Sequence, residues 1–171
     1  MTITAGLAVP CEARAGGLVR LFLTNRDDVT SFTFAGGFYT NVVMNGGAVF
    51  FEFEFEIDTA ERRENGVLEN GSTKYTHEIE WFTPKLTTTN RNRLQEIMDA
   101  SACGMIAIAE DANGIKWVVG YSEKFLKKRA LKLQSDASLS GKAFTDLNGS
   151  TVIVLSEDTT KDVEFTGTIP V

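Results

Sequence analysis

The chain has 171 residues, 43% of them hydrophobic, and its 17 basic and 23 acidic side chains give a formal net charge of -6. That size and composition suffice for one buried core and exclude a disordered or fibrous chain, while the acidic balance argues against nucleic-acid binding as the main business of the surface. Cys11 and Cys103 stand apart, with no CxxC and no Cys/His cluster, which excludes a disulfide framework and reads as two buried thiols.

Taken in order, MTITAGLAVP has no charged segment followed by an apolar run, and nothing in the chain approaches about eighteen consecutive apolar residues. Neither a signal peptide nor a membrane span is expected. Residues 1–15 read as a flexible N-terminus, and no Pro-rich or Ser-rich linker divides the remainder, so 1–171 is read as a single domain. Asn-Gly pairs at 45/46, 65/66, 70/71, 113/114 and 148/149 offer the positive φ of tight hairpin turns, the punctuation of an antiparallel β protein. Strands are expected at 18–24, within 31–44, at 48–57 and at 74–83.

The strand at 48–57 contains FEFEFEID, in which Phe51, Phe53, Phe55 and Ile57 alternate with Glu52, Glu54, Glu56 and Asp58. A β-strand sends successive side chains to opposite faces, so the apolar set should pack inward and the carboxylates form an outward row. Neighbours in such a row are about 7 Å apart, inside the roughly 8–10 Å screening length of physiological salt. The row carries no base of its own. If this strand pairs with 74–83, Glu78 and Glu80 join Glu52, Glu54 and Glu56 on one face, and like charges opposite one another are destabilising. A bound cation, a basic partner or a surface whose task is to be negative would each account for the row, although a flat row of Glu does not converge on a point as a calcium loop does. Between the two strands, residues 58–73 read as a projecting loop or hairpin.

After Pro84, threonines at 87–89 offer caps, Leu94, Ile97 and Met98 recur at helical spacing, and Gly104 comes next, predicting one amphipathic helix over about 88–101. A hairpin is predicted from 105–111 and 115–121 around Asn113-Gly114, and a second within 141–157. Between them, KFLKKRALK gathers Lys124, Lys127, Lys128, Arg129 and Lys132. An acidic strip and a basic strip on one domain make a two-pole object able to associate head to tail, and head-to-tail contacts that close give rings. The fold class expected is mainly β, an antiparallel β-sandwich or small barrel with one flanking helix.

Enzyme constellations are sparse. His77 is the only histidine, on an alternating run with Tyr75, Ile79 and Trp81, and reads as a packed residue. GxSxG, GxxxxGK[ST], GxGxxG and HExxH are absent, so no catalytic residue, cofactor or metal is expected.

The order AGGLVRLFLTNRDDV, FFEFEFEID, ENGSTKYTHEIEW, PKLTTTNRNRLQEIMD, AIAEDANGIKWVVGY and GKAFTDLNGSTVIVLSE resembles the small tail-tube and neck-ring structural proteins of tailed bacteriophages over roughly residues 11–166, especially those of phages and prophages of anaerobic gut bacteria. The resemblance implies a tail-tube-like domain made in the host cytoplasm, assembled in the virion as a homo-oligomeric, commonly six-fold ring between other tail or neck proteins. DNA would pass through it without specific binding, and no membrane would be involved. It further implies that 58–73 reaches the adjacent ring, making Glu61, Arg62, Arg63, Glu64, Asn65 and Asn70 candidates for that contact. On this view Glu52, Glu54, Glu56, Glu78 and Glu80 are lumen candidates, since a negative wall does not grip phosphates. Alternatively, the acidic face meets the neighbour's Lys124, Lys127, Lys128, Arg129 and Lys132. A reading from another class is a soluble ligand- or carbohydrate-binding β-sandwich with a cation on its acidic strand.

Overall fold

The computed structural model describes residue 5 and residues 15–143 and 145–171. Most of the expected flexible N-terminus, and Cys11, lie outside these residues. Along the chain the elements are β1 (Leu18–Asn25), β2 (Val29–Ala35), β3 (Phe38–Met44), β4 (Phe51–Glu52), β5 (Glu61–Glu69), β6 (Ser72–Pro84), α1 (Thr88–Ser101), β7 (Met105–Asp111), β8 (Lys116–Val119), β9 (Lys132–Leu139), β10 (Gly149–Asp158) and β11 (Val163–Glu164). Among the described residues no helix is long and apolar enough to cross a membrane.

The strands form a five-stranded sheet in the order β11-β8-β7-β1-β4, a four-stranded sheet in the order β5-β6-β10-β9, and the separate hairpin β2-β3, with every ladder antiparallel. The result is mainly β, consistent with a β-sandwich carrying one flanking helix. The five-stranded sheet lies in the middle. Leu21, Leu23, Ala107, Ala109 and Val119 on one of its faces pack with Ile79, Trp81, Val152 and Val154 of the four-stranded sheet and with Leu94 and Ile97 of α1. On its other face Phe22, Ile106, Ile108 and Val118 pack with Val29, Phe32, Tyr39 and Val42 of the β2-β3 hairpin and with Phe165. Burial on both sides explains why β7 reads MIAIA without alternation, each large apolar side chain contributing roughly 1.5–3 kcal/mol.

The helix occupies its predicted bounds for local reasons. The Thr87 side chain accepts a hydrogen bond from the Asn90 amide at 3.1 Å, Leu94 and Ile97 are buried, and Met98 turns outward. Past its end, Gly104 takes φ +102 and its amide donates to the Ala100 carbonyl.

Four expectations need correction. The acidic strand is a strand only at Phe51–Glu52, where it pairs with β1 rather than β6. Its next residues cross between layers: the Phe53 amide donates to the Leu21 carbonyl, and the Glu56 amide to the Phe82 carbonyl. Phe53 and Phe55 are half-buried as alternation demands, but Phe51 is 60% exposed and Ile57 84%. Residues 58–73 take the hairpin form of the expectation, but with one Asn-Gly turn instead of two. They supply β5 and its turn at Asn70-Gly71, whereas Asn65-Gly66 lies inside β5 opposite Thr76 and Tyr75. A Cβ on Gly66 would meet Tyr75 Cε1 at 2.6 Å, so this glycine serves close packing of the ring, not a turn. The second hairpin is formed by β9 and β10 across 140–148, and Gly149 opens β10, where a Cβ would collide with the Phe82 ring and the Thr83 carbonyl. Finally, Cys103 is exposed, because it comes after the helix at the surface and not within its apolar face.

Candidate assembly surface

The two large sheets end differently. The five-stranded sheet is bounded by β11 and β4, two residues each, whereas the four-stranded sheet is bounded by β5 with nine residues and β9 with eight. Among the described residues neither β5 nor β9 pairs with a further strand, so each presents a row of backbone donors and acceptors able to template another strand.

One face of the four-stranded sheet belongs to the core, and alternation puts Glu61, Arg63, Asn65, Thr76, Glu78, Glu80, Ile153, Leu155 and Glu157 on the other. Arg63 gathers three carboxylates there: Glu61 at 2.8 Å, Glu78 at 3.1 Å, and Glu80 through a short contact. Lys74 pairs with Glu157 at 2.6 Å. One guanidinium among three carboxylates leaves the cluster acidic. At the end of the β5-β6 hairpin Val67 and Leu68 are exposed.

The structure therefore divides the five acidic candidates. Glu78 and Glu80 share this open face. Glu52 lies at the edge of the other sheet, where Arg20 Nε donates to it at 2.7 Å, so the expectation of an uncompensated row fails at its first member. The Arg20 hydrogen bond holds the Glu52 carboxyl below its usual range. Glu54 and Glu56 are exposed, and Glu54 lines a groove of about 700 Å³ with Phe51, Phe53, Phe55, Asn90 and Arg93.

The six candidates from 58–73 are likewise divided. Glu61, Arg63 and Asn65 are on the open face, and Asn70 is in the turn. Arg62 and Glu64 point the other way, into a buried polar cluster. There Arg62 Nη1 is 2.8 Å from Asp162 Oδ2, and its guanidinium lies 4.6 Å from the Trp117 ring centroid. The Asp162 amide donates to Glu64 Oε2. His77 is 2% exposed, as expected of a packed histidine, with Nε2 3.1 Å from the Thr160 carbonyl and Nδ1 2.9 Å from Asp162 Oδ1. Burial by itself favours the neutral ring, but Asp162, Glu64 and the Thr160 carbonyl outweigh it, and the pKa of His77 is raised.

Among the basic candidates, Lys127, Lys128 and Arg129 form a short 3₁₀ turn and Lys132 begins β9. Lys127 donates to the Val29 carbonyl at 3.1 Å, and Lys124 and Arg129 flank the Phe125 ring. Leu126, 52% exposed, sits among these charges at φ +53, a region that leucine rarely adopts.

Sequence reading singled out neither Arg20 nor Asp162. Arg20 carries the signal of alternation within LVRLFLT, but Asp162 has none, because its partners on β5 are about a hundred residues away along the chain. No family model matches the chain, and no curated protein or solved structure shows a significant similarity to it.

Proposed function

We propose that the chain is a virion structural protein of a tailed bacteriophage, a subunit that associates head to tail into a ring or tube of the tail or neck through which DNA passes. The observation that carries this reading is the pair of long unpaired edges on a single sheet. Strand direction alternates from β5 through β6 and β10 to β9, so rotating one copy onto the next sets β9 antiparallel to the neighbour's β5 and continues the ladder without a break. Closure of such a ring removes both edges at once, the usual remedy for exposed strand edges. The acid-leaning face with Glu61, Glu78 and Glu80 then forms the wall of the passage, where it repels phosphates that a basic wall would hold through counterion release. In this reading Val67 and Leu68 at the end of the β5-β6 hairpin meet the next ring, the ring is six-fold, and the protein is made in the host cytoplasm and assembled into the virion.

Electron microscopy of the full chain, with scanning of disulfides between the edges, tests the proposal. In a Cys11→Ala, Cys103→Ala background, Asn65→Cys on β5 is combined in turn with Ser135→Cys and Ala137→Cys on β9. Within one chain these strands are three strand spacings, about 14 Å, apart, beyond the roughly 7 Å Cα separation that a disulfide spans. Rings or tubes and an oxidised ladder of multimers are expected. Uniform monomers with every pair left reduced would sink the reading.

The 700 Å³ groove favours the other reading, a ligand- or carbohydrate-binding β-sandwich, since Phe51, Phe53, Asn90 and Arg93 offer rings and polar groups together. A monomer whose melting temperature rises with added sugar and cation would carry that reading instead.

A further inference from the structure

We propose that Glu64, His77 and Asp162 form a binding site for one zinc ion. The three side chains come from β5, β6 and the segment before β11, Glu64 and His77 being direct cross-strand partners. Their candidate ligand atoms lie within 4.8 Å of one another, and the side chains of His77 and Asp162 are each 3% exposed.

The argument begins with the two ring nitrogens. A carbonyl oxygen only accepts, so the contact from Nε2 to the Thr160 carbonyl places the hydrogen on Nε2 and leaves Nδ1 as the ligand nitrogen. Nδ1 faces two carboxylates, Asp162 Oδ1 at 2.9 Å and Glu64 Oε2 at 3.6 Å. Yet among the described residues this buried atom has no hydrogen-bond partner: the Asp162 oxygen is near enough but off the direction in which an N–H would point. A hydrogen bond wants its three atoms in line. Two ligands of a tetrahedral cation do not lie in line, and with bonds of about 2.0–2.2 Å they sit about 3.4 Å apart. The observed 2.9 and 3.6 Å bracket that separation.

The surroundings supply what such ligands need. The Thr160 carbonyl fixes the imidazole, Arg62 holds the second oxygen of Asp162, and the Asp162 amide holds Glu64. One nitrogen and two carboxylate oxygens suit zinc and not calcium, which takes six to eight oxygens. Two carboxylates against one guanidinium leave a negative charge that the cation offsets, with the proton of any protonated His77 released on binding. The bound ion would tie β5 and β6 to the segment 160–162. This inference does not depend on the ring reading.

The test uses untagged, chelator-stripped protein in a Cys11→Ala, Cys103→Ala background, titrated with zinc chloride by calorimetry and thermal melting. One zinc per chain with a rise in melting temperature is expected, and affinity should fall about 10–100-fold or more in His77→Gln and Asp162→Asn. Cobalt(II) added to the protein with all three residues intact gives a reading that needs no variant: visible bands of a four-coordinate nitrogen and oxygen site are expected. A stripped protein that shows neither zinc heat nor cobalt bands overturns the proposal, as does zinc binding that His77→Gln leaves unchanged.

Discussion

The two large sheets solve the same problem differently. The five-stranded sheet is covered on both faces and ends in strands of two residues, while the four-stranded sheet is covered on one face and ends in strands of nine and eight. Short edges give little backbone for another chain to pair with; long ones invite pairing. The first sheet is thus finished within one chain, and the second has hydrogen-bonding capacity left over. Function is proposed for the unfinished one.

That contrast can be broken most forcefully in the cores. Ile108→Ala, with burial on every side, should lower unfolding free energy by about 2–5 kcal/mol, whereas Ile153→Ala on the open face should lose at most about half as much in the isolated chain. Urea denaturation of both at one concentration measures the difference, and equal losses would mean that the open face is covered in the monomer. Gly149→Ala probes a point of close approach between β10 and β6, and a loss of about 1–3 kcal/mol in the same assay is expected from the collision with Phe82 and Thr83.

A third effect is read by its sign. The folded-state pKa of His77 is raised above the unfolded value of about 6.5, so with chelator present its contribution to stability is complete below that pH and is lost as pH rises through the folded value. Melting curves across this window should therefore show stability falling with pH in the parent chain and a flatter dependence in His77→Gln. The smallest change is expected from Arg63→Ala, about 0.2–1 kcal/mol in the monomer because the guanidinium is well exposed, with a larger share at low salt. If the open face lines a passage, the same variant leaves Glu61, Glu78 and Glu80 uncompensated in every copy, and ring formation should respond to salt more strongly than monomer melting does.

Legibility in the sequence depends on how far each determinant reaches along the chain. Helix α1 was legible because Thr87, Leu94, Ile97 and Gly104 act within a few turns of one another. The β7-β8 hairpin was legible because Asn113-Gly114 sets its own turn, with Gly114 at φ +81. Asn65-Gly66 misled because the same dipeptide also suits a strand where a neighbouring ring must approach, and nothing local distinguishes the two uses. FEFEFEID misled for a different reason: its alternation is real, but the chain changes hydrogen-bonding partners midway, from Leu21 to Phe82. Of the candidate site, Glu78 and Glu80 could be placed on one face by period alone, whereas the partners Arg20, Arg63 and Asp162 required knowledge of which strands lie side by side.

The crossing between Phe53 and Glu56 has a mechanical corollary. The hydrogen bonds donated by its two amides fasten one short ribbon to both layers, and Leu18 closes the far end by donating to the Ala60 carbonyl just before β5 begins. Tension applied along β5 therefore reaches β1 through Ala60 and Leu18 and β6 through Glu56 and Phe82, so that both layers share the load.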